Sequence, residues 1–179
     1  MRRRLLTSLA IASLIMASAD GRAADAENTL YMDLESGRVV IELRPDLAPK
    51  HVARIKALVR QGFYDGLSFH RVIDGFMAQG GDPKGDGTGG SGQRIPAEFS
   101  PPSVAKHLRG TVSMARSQHA DSADSQFFIC FEPAPFLDGK YTIWGQVVEG
   151  MELVDQLERG EPVRDPDHIL RMSIAADAE

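Results

Sequence analysis

The alternation of apolar and polar residues predicts a chain built mainly from short strands. Residues 29–43 (TLYMDLESGRVVIEL) alternate in two pieces on either side of Ser36-Gly37, which is typical of two strands joined by a tight turn. Further short apolar runs are separated by Gly, Pro and Asp, and they predict strands at 67–73, 76–79, 111–115, 127–131, 141–148 and 169–175.

Helical spacing is confined to two segments. From Pro49, apolar residues recur at three- and four-residue intervals (Val52, Ile55, Val59), and Gly62 follows as a stop. A second helical piece is predicted at 151–158. Many short strands and two helices predict one all-β domain, a closed antiparallel barrel with the helices capping its ends. Residues 27–179 contain no linker or internal repeat that would divide this domain.

The N-terminus has the pattern of a secretory signal peptide. Arg2–Arg4 precede an apolar run that ends in small residues at Ala19. The run is shorter than the ~20 residues that a membrane span needs, so a stable anchor is the less favoured alternative. We expect residues 1–19 to be removed, with cleavage as late as residue 26 as a further option, and the general secretory route to be used. A basic leader of this kind suits a bacterial precursor, and the expected location is the periplasm.

Composition narrows the class of protein. The chain has 179 residues, 42% of them hydrophobic, and a formal net charge of −5. Removal of the leader takes away three arginines and no acidic residue, so the mature chain would be still more acidic. An acidic chain argues against nucleic acid as a partner, because phosphate binding needs clustered Lys and Arg. Cys130 is the only cysteine and cannot form an internal disulfide; its apolar neighbours predict a small buried side chain.

Two motifs are only weak evidence for a nucleotide-binding, catalytic or metal site. Glycines at 85, 87 and 90 satisfy the G-x-G-x-x-G pattern, but more glycine and then Pro96 follow, without the helix that a nucleotide site requires. A turn-rich loop is the better interpretation. A polar group at 119–125 contains His119, Asp121, Asp124 and Ser125. Catalytic triads usually draw their members from separate elements, and metal sites need ligand spacings that this segment lacks, so a solvated loop is favoured.

The most informative segment is 69–82, FHRVIDGFMAQGGD. Arg71 lies within an otherwise apolar predicted strand, where a charge is costly unless it is paired or faces a functional surface. A snorkelling arginine with Phe76 and Met77 in the core is an equally good interpretation of these residues alone. His70 by itself favours a packed or supporting role over acid–base catalysis.

Three segments together resemble a known family. FHRVIDGFMAQGGD is similar to the signature of the cyclophilin peptidyl-prolyl cis-trans isomerases. GTVSMARSQHADSADSQFFIC (110–130) resembles the second signature segment of that family, and FLDGKYTIWGQVVEGMELVDQL (136–157) resembles its C-terminal part. The resemblance runs from about residue 29 to 175. It implies an all-β fold, a closed eight-stranded antiparallel barrel with two capping helices, and an enzyme that isomerises X-Pro bonds without metal or cofactor.

The resemblance also implies roles for individual residues. Arg71 matches the catalytic arginine, Gln79 the glutamine that orients it, and Gln126 a residue of the peptide groove. The proline pocket would be walled by Phe76, Met77, Phe128 and Leu137. Backbone groups at Ala115 and Arg116 would hold the extended substrate.

Three positions depart from many eukaryotic members: Phe136 replaces Trp, Tyr141 replaces His, and Arg116 replaces Asn. Phe136 and Tyr141 are expected at the rim of the pocket. Because Phe136 has no N–H donor, we expect weak inhibition by cyclosporin.

The expected partners are unfolded or Pro-containing polypeptides, and the expected role is the folding of exported proteins. A chaperone module that binds Pro-containing chains without essential turnover is the main alternative. A hydrolase using the His119 segment is a weaker one. A monomer is expected, since no heptad pattern indicates association.

Overall fold

The computed structural model of the chain describes residues 26–177. The predicted signal peptide, residues 1–19, lies outside the described residues. Within the described part of the chain, no helix combines the length and the hydrophobicity that crossing a membrane would require.

Within residues 26–177 the fold is made of eight strands and two α-helices. The strands are β1 (Thr29–Leu34), β2 (Gly37–Leu43), β3 (Arg71–Ile73), β4 (Met77–Gly80), β5 (Thr111–Met114), β6 (Phe127–Cys130), β7 (Ile143–Glu149) and β8 (Arg171–Ile174). The helices are α1 (Pro49–Arg60) and α2 (Met151–Val154), and single 3-10 turns occur at Ala120–Ser122, Pro135–Leu137 and Ala175–Asp177.

All strands join one antiparallel sheet in the order β3-β4-β6-β5-β7-β2-β1-β8. The prediction of a closed barrel was wrong: the sheet is an open half-barrel, and among the described residues its edge strands β3 and β8 do not pair with each other. β3 is only three residues long. Val72 of β3 forms an isolated bridge with Gly160 in the loop after α2, and Ser68, which precedes β3, forms one with His168, which precedes β8.

The first hairpin explains how the core is filled. β1 and β2 pair so that Leu30 lies opposite Ile41 and Met32 opposite Val39. All four side chains are completely buried, because residues two apart in a strand point to the same face. The two-piece alternation in the sequence therefore predicted this element correctly.

Helix α1 begins with Pro49 in its first turn and packs against β8. Its N-terminus has no local side-chain cap; instead the Glu98 carboxylate accepts hydrogen bonds from the backbone N–H groups of Lys50 and His51, each at 3.0 Å. These are groups that have no partner within a helix, so a distant residue satisfies them. α2 is shorter than the predicted 151–158, because beyond Val154 the backbone bonds change to the i→i−3 pattern of a tighter turn.

Strand β6 divides the interior into two clusters. Phe127 and Ile129 face the main core, where Phe127 makes edge contacts with the rings of Tyr64 and Trp144 at 5.8 and 5.9 Å. The alternate residues Phe128 and Cys130 face a second, smaller cluster with Met77, Ala134 and Leu137. This second cluster forms the base of the site described next.

Candidate active site

A cavity of about 700 Å³ lies over the second cluster. Nine of the residues predicted from the sequence line it: Arg71, Phe76, Met77, Gln79, Ala115, Arg116, Phe128, Leu137 and Tyr141. His70, Gly85, Asp86, Gly87, Glu161 and Pro162 also contribute to the wall. Of the other predicted residues, Gln126 lines an adjoining smaller cavity with Gln79, and Phe136 stands beside the site with its ring 5.4 Å from that of Phe76.

Strand register brings polar and apolar groups into one row. Arg71 on β3 lies opposite Gln79 on β4, and Gln79 lies opposite Phe128 on β6. Met77 shares a face of β4 with Gln79, since the two are separated by one residue. The buried side chains of Met77, Phe128 and Leu137 give the cavity an apolar base beside the charged arginine.

A chain of hydrogen bonds runs along the polar side of the cavity. Arg71 Nη1 donates to Gln79 Oε1 at 3.2 Å, and Gln79 Nε2 donates to Gln126 Oε1 at 2.9 Å. Gln126 Nε2 in turn donates to the carbonyls of Gly87 and Gly89, at 3.0 and 2.8 Å. The arginine is thus connected through two amides to the glycine-rich loop.

The glycine-rich loop is folded around one carboxylate. Asp82 accepts hydrogen bonds from the backbone N–H groups of Lys84, Asp86 and Gly87, at 2.8, 3.2 and 2.6 Å. The segment is a series of turns and bends rather than the start of a helix, as expected from its sequence. Asp82 therefore places the carbonyl of Gly87 where Gln126 can reach it.

Sequence reasoning did not find the acidic partner of Arg71. Arg71 Nε donates to Glu161 Oε1 at 2.7 Å, and the two residues are 90 positions apart. The arginine side chain is 37% exposed and paired with Glu161, so it is not a buried, unpaired charge.

Beneath the apolar base lies a buried histidine that was also missed. The His107 ring is stacked on Phe128, with centroids 6.1 Å apart and an interplanar angle of 15°. Its Nδ1 is 3.0 Å from Asp138 Oδ1 and its Nε2 is 3.0 Å from Ser113 Oγ. Burial lowers the pKa of His107, against the opposing effect of the Asp138 carboxylate, so the ring is a neutral support near pH 7.

Arg116 braces the rim of the cavity through its side chain. Its Nη2 donates to the carbonyl of Lys140 at 2.8 Å, its Nη1 donates to that of Ser117 at 2.9 Å, and the guanidinium lies 4.6 Å from the centre of the Tyr141 ring. The Ala115 N–H donates to the carbonyl of Gln126 at 2.9 Å. Because this N–H is bonded within the protein, it is not available to a substrate.

The polar residues near His119 fasten loops together. Asp121 accepts from the Ala97 N–H at 2.8 Å, Asp124 accepts from the Ser91 N–H at 2.6 Å, and Ser125 Oγ donates to the Gly81 carbonyl at 2.7 Å. Cys130 is fully buried, and burial raises the pKa of its thiol to about 12, which disfavours the thiolate needed for nucleophilic attack.

Comparison with known proteins decides the family. The model of the family "Cyclophilin type peptidyl-prolyl cis-trans isomerase/CLD" matches residues 29–175. The chain belongs to the cyclophilin family. It is a peptidyl-prolyl cis-trans isomerase, as the resemblance in its sequence indicated.

Relatives and solved structures agree with this assignment. A probable peptidyl-prolyl cis-trans isomerase of Brucella suis biovar 1 (strain 1330) is 49% identical over 99% of this chain and 98% of its own length. Peptidyl-prolyl cis-trans isomerase B of Bacillus subtilis (strain 168) is 44% identical, over 76% of this chain and 95% of its own. A crystal structure of a cyclophilin from Hirschia baltica has a TM-score of 0.79 at 30% identity, covering 87% of this cyclophilin and 76% of that chain. A Cryptosporidium parvum cyclophilin, crystallised in the presence of the dipeptide Ala-Pro, has a TM-score of 0.75 at 31% identity and covers 82% and 98%.

Proposed function

We propose that this cyclophilin accelerates rotation about X-Pro bonds through Arg71, which weakens the double-bond character of the amide, and that it does so during the folding of exported proteins. The observation that carries the mechanism is the position of Arg71 beside an apolar cavity whose base is Met77, Phe128 and Leu137.

The reaction needs electrostatic help rather than bond chemistry. Rotation about a peptide bond faces a barrier of about 18–20 kcal/mol because the C–N bond has partial double-bond character. Uncatalysed X-Pro isomerisation takes tens to hundreds of seconds. Turnover at enzyme-like rates requires an acceleration of roughly 10⁴–10⁵-fold, or about 5.5–7 kcal/mol. No covalent bond is made or broken, so neither a nucleophile nor a general base is needed.

Arg71 supplies the group that distinguishes the transition state from the ground state. When the C–N bond twists, the prolyl nitrogen becomes pyramidal and regains a lone pair that can accept a hydrogen bond. A guanidinium remains charged at all relevant pH values and holds its donors in a fixed plane. One such charge-assisted donor in a partly dry cavity contributes about 3–4 kcal/mol.

The apolar base supplies the rest by holding the proline ring still. Phe128 and Met77 are almost completely buried and are supported from below by His107 and Cys130. A ring held in this cavity lets the residue on the N-terminal side of the amide rotate while the prolyl nitrogen stays near Arg71. Phe76, Leu137 and Tyr141 would close the sides, and Gln126 with the backbone at Ala115 and Arg116 would align the peptide.

A refolding assay separates turnover from mere binding. The substrate is a reduced, unfolded protein whose refolding is limited by X-Pro isomerisation, followed with the wild type and with Arg71→Ala. The proposal predicts that the wild type accelerates the slow phase and that the variant largely loses this effect. A chaperone module would instead suppress aggregation equally well with either protein.

The export role rests on the basic and apolar pattern of residues 1–19, which ends in small residues. Expression of the full chain in a Gram-negative host, followed by osmotic shock, tests it. Release of a protein shortened by 19 to 26 residues supports the proposal. A full-length protein that stays with the cytoplasmic fraction or the membranes would contradict it.

A further inference from the structure

We propose that Glu161 is a positioning residue for the isomerase reaction, and that its carboxylate fixes the Arg71 guanidinium beside the proline pocket. This inference rests on the proposed role of Arg71. It adds a residue from the loop after α2 to a site otherwise built from the sheet and the loops around it.

Backbone hydrogen bonds on both sides of Arg71 hold the segment that contains Glu161 next to it. Gly160 and Val72 exchange two backbone hydrogen bonds, each 2.8 Å long, and the Val163 N–H donates to the His70 carbonyl at 2.9 Å. The two chain neighbours of Arg71 are therefore both bonded to the segment that carries Glu161. The main-chain hydrogen bonds therefore hold the Glu161 carboxylate close to the Arg71 guanidinium.

Two acceptors fix the plane of the guanidinium. Glu161 accepts from Nε at 2.7 Å, and Gln79 accepts from Nη1 at 3.2 Å, on different edges of the group. Because the guanidinium is planar, these two contacts set its orientation. Within residues 26–177 no acceptor binds Nη2, so both N–H groups of Nη2 and the second N–H of Nη1 are left to donate to the substrate.

The exposure of the pair argues for positioning rather than stabilisation. The side chains of Arg71 and Glu161 are 37% and 58% exposed, and ion pairs as exposed as this contribute little to folding stability. Removal of the carboxylate should leave the protein folded. It should release Arg71 from one of its two contacts, so that the productive orientation is less often populated.

Three variants test the inference. Glu161→Ala removes the acceptor, Glu161→Gln keeps an oxygen that can accept from Nε, and Glu158→Ala is the matched control. Glu158 is an exposed glutamate of the same loop, and its carboxylate has no partner in the described part of the chain. We expect kcat/KM to fall about three- to fivefold in Glu161→Ala with KM nearly unchanged, to stay within about twofold in Glu161→Gln, and to be unaffected in the control.

A second readout reports on the contact itself. In a ¹H–¹⁵N spectrum, the Nε–H signal of Arg71, assigned by its loss in Arg71→Ala, should exchange slowly in the wild type and in Glu161→Gln. It should exchange faster with solvent in Glu161→Ala. A merely structural role would lower the free energy of unfolding in Glu161→Ala and leave kcat/KM of the folded protein unchanged.

The possible results separate two failures. If Arg71→Ala loses activity but Glu161→Ala keeps it, the positioning role is wrong while the Arg71 mechanism stands. A higher kcat/KM in Glu161→Ala would also overturn the inference, because it would mean that the carboxylate competes with the substrate for Arg71. Full activity in Arg71→Ala would overturn the proposed mechanism and this inference together.

Discussion

Arg71 and Gln79 lie directly opposite each other on adjacent strands, and Arg71 Nη1 donates to Gln79 Oε1 at 3.2 Å. The other end of the same amide donates to Gln126 at 2.9 Å. The Gln79 amide therefore accepts a hydrogen bond from Arg71 through its oxygen and donates one to Gln126 through its nitrogen. A substitution at Gln79 removes both contacts.

Replacement of Gln79 by Ala should lower activity without unfolding the protein. Arg71 would lose the acceptor that holds Nη1, and Gln126 would lose a donor. We expect kcat/KM to fall about fivefold, which corresponds to about 1 kcal/mol for one hydrogen bond. Exchange spectroscopy on a proline peptide measures the effect, with Gln156→Ala, an exposed glutamine far along the chain, as control. Equal activity in both variants would count against the role of Gln79.

The sequence predicted those parts of the fold that depend on local pattern. β1, β2 and α1 were found because buried residues repeat at intervals of two or of three and four. The strand predicted at 67–73 is confined to Arg71–Ile73, because Leu67 and Phe69 bond to residues 167 and 169 outside any ladder. Alternation shows which face of a strand is buried but not whether two edges pair, so the closure of the barrel was predicted wrongly.

The residues of the site also fall into two groups, those that the sequence identified and those that only the folded structure shows. Arg71, Phe76 and Met77 are neighbours in one segment, and the family resemblance pointed to them together. Glu161 is an exposed glutamate before a proline in a loop, and nothing in its surroundings marks it as a partner of a residue 90 positions away. His107 lies among polar residues, and only the folded chain shows that it supports Phe128.

Replacement of Phe136 by Trp should strengthen the binding of cyclosporin. Phe136 is 60% exposed beside Phe76 and has no hydrogen-bond donor. An indole N–H at this position could donate one hydrogen bond to the ligand, which is worth about threefold to tenfold in affinity. Titration calorimetry of the wild type and the variant measures the change. Tight binding to the wild type would refute the expectation that this cyclophilin is weakly inhibited.

The free energy of unfolding should decrease as the pH falls below about 6.5, partly because of His107. Burial lowers the pKa of His107 in the folded protein, so the unfolded chain takes up a proton at a higher pH than the folded one. Protonation then favours unfolding, and the stability conferred by the neutral ring is fully present only above the unfolded pKa. Burial also lowers the pKa of His51 and of His70, which act in the same direction.

Urea unfolding at pH 7.5 and pH 5.5 tests the contribution of His107. The loss of stability between the two pH values should be smaller in His107→Gln than in the wild type, because glutamine does not titrate. His119→Gln, at an exposed histidine, controls for the loss of a histidine as such. An identical loss in His107→Gln and the wild type would contradict the assignment.

The central claim is that Arg71 catalyses X-Pro isomerisation, and exchange spectroscopy tests it most directly. Cis/trans exchange of a short Ala-Pro-Phe peptide is measured by NMR with the protein lacking residues 1–19 and with its Arg71→Ala variant. We predict strong catalysis by the wild type and a fall of about a hundredfold in the variant, equivalent to about 2.7 kcal/mol. A folded variant that catalyses exchange as fast as the wild type would contradict the account.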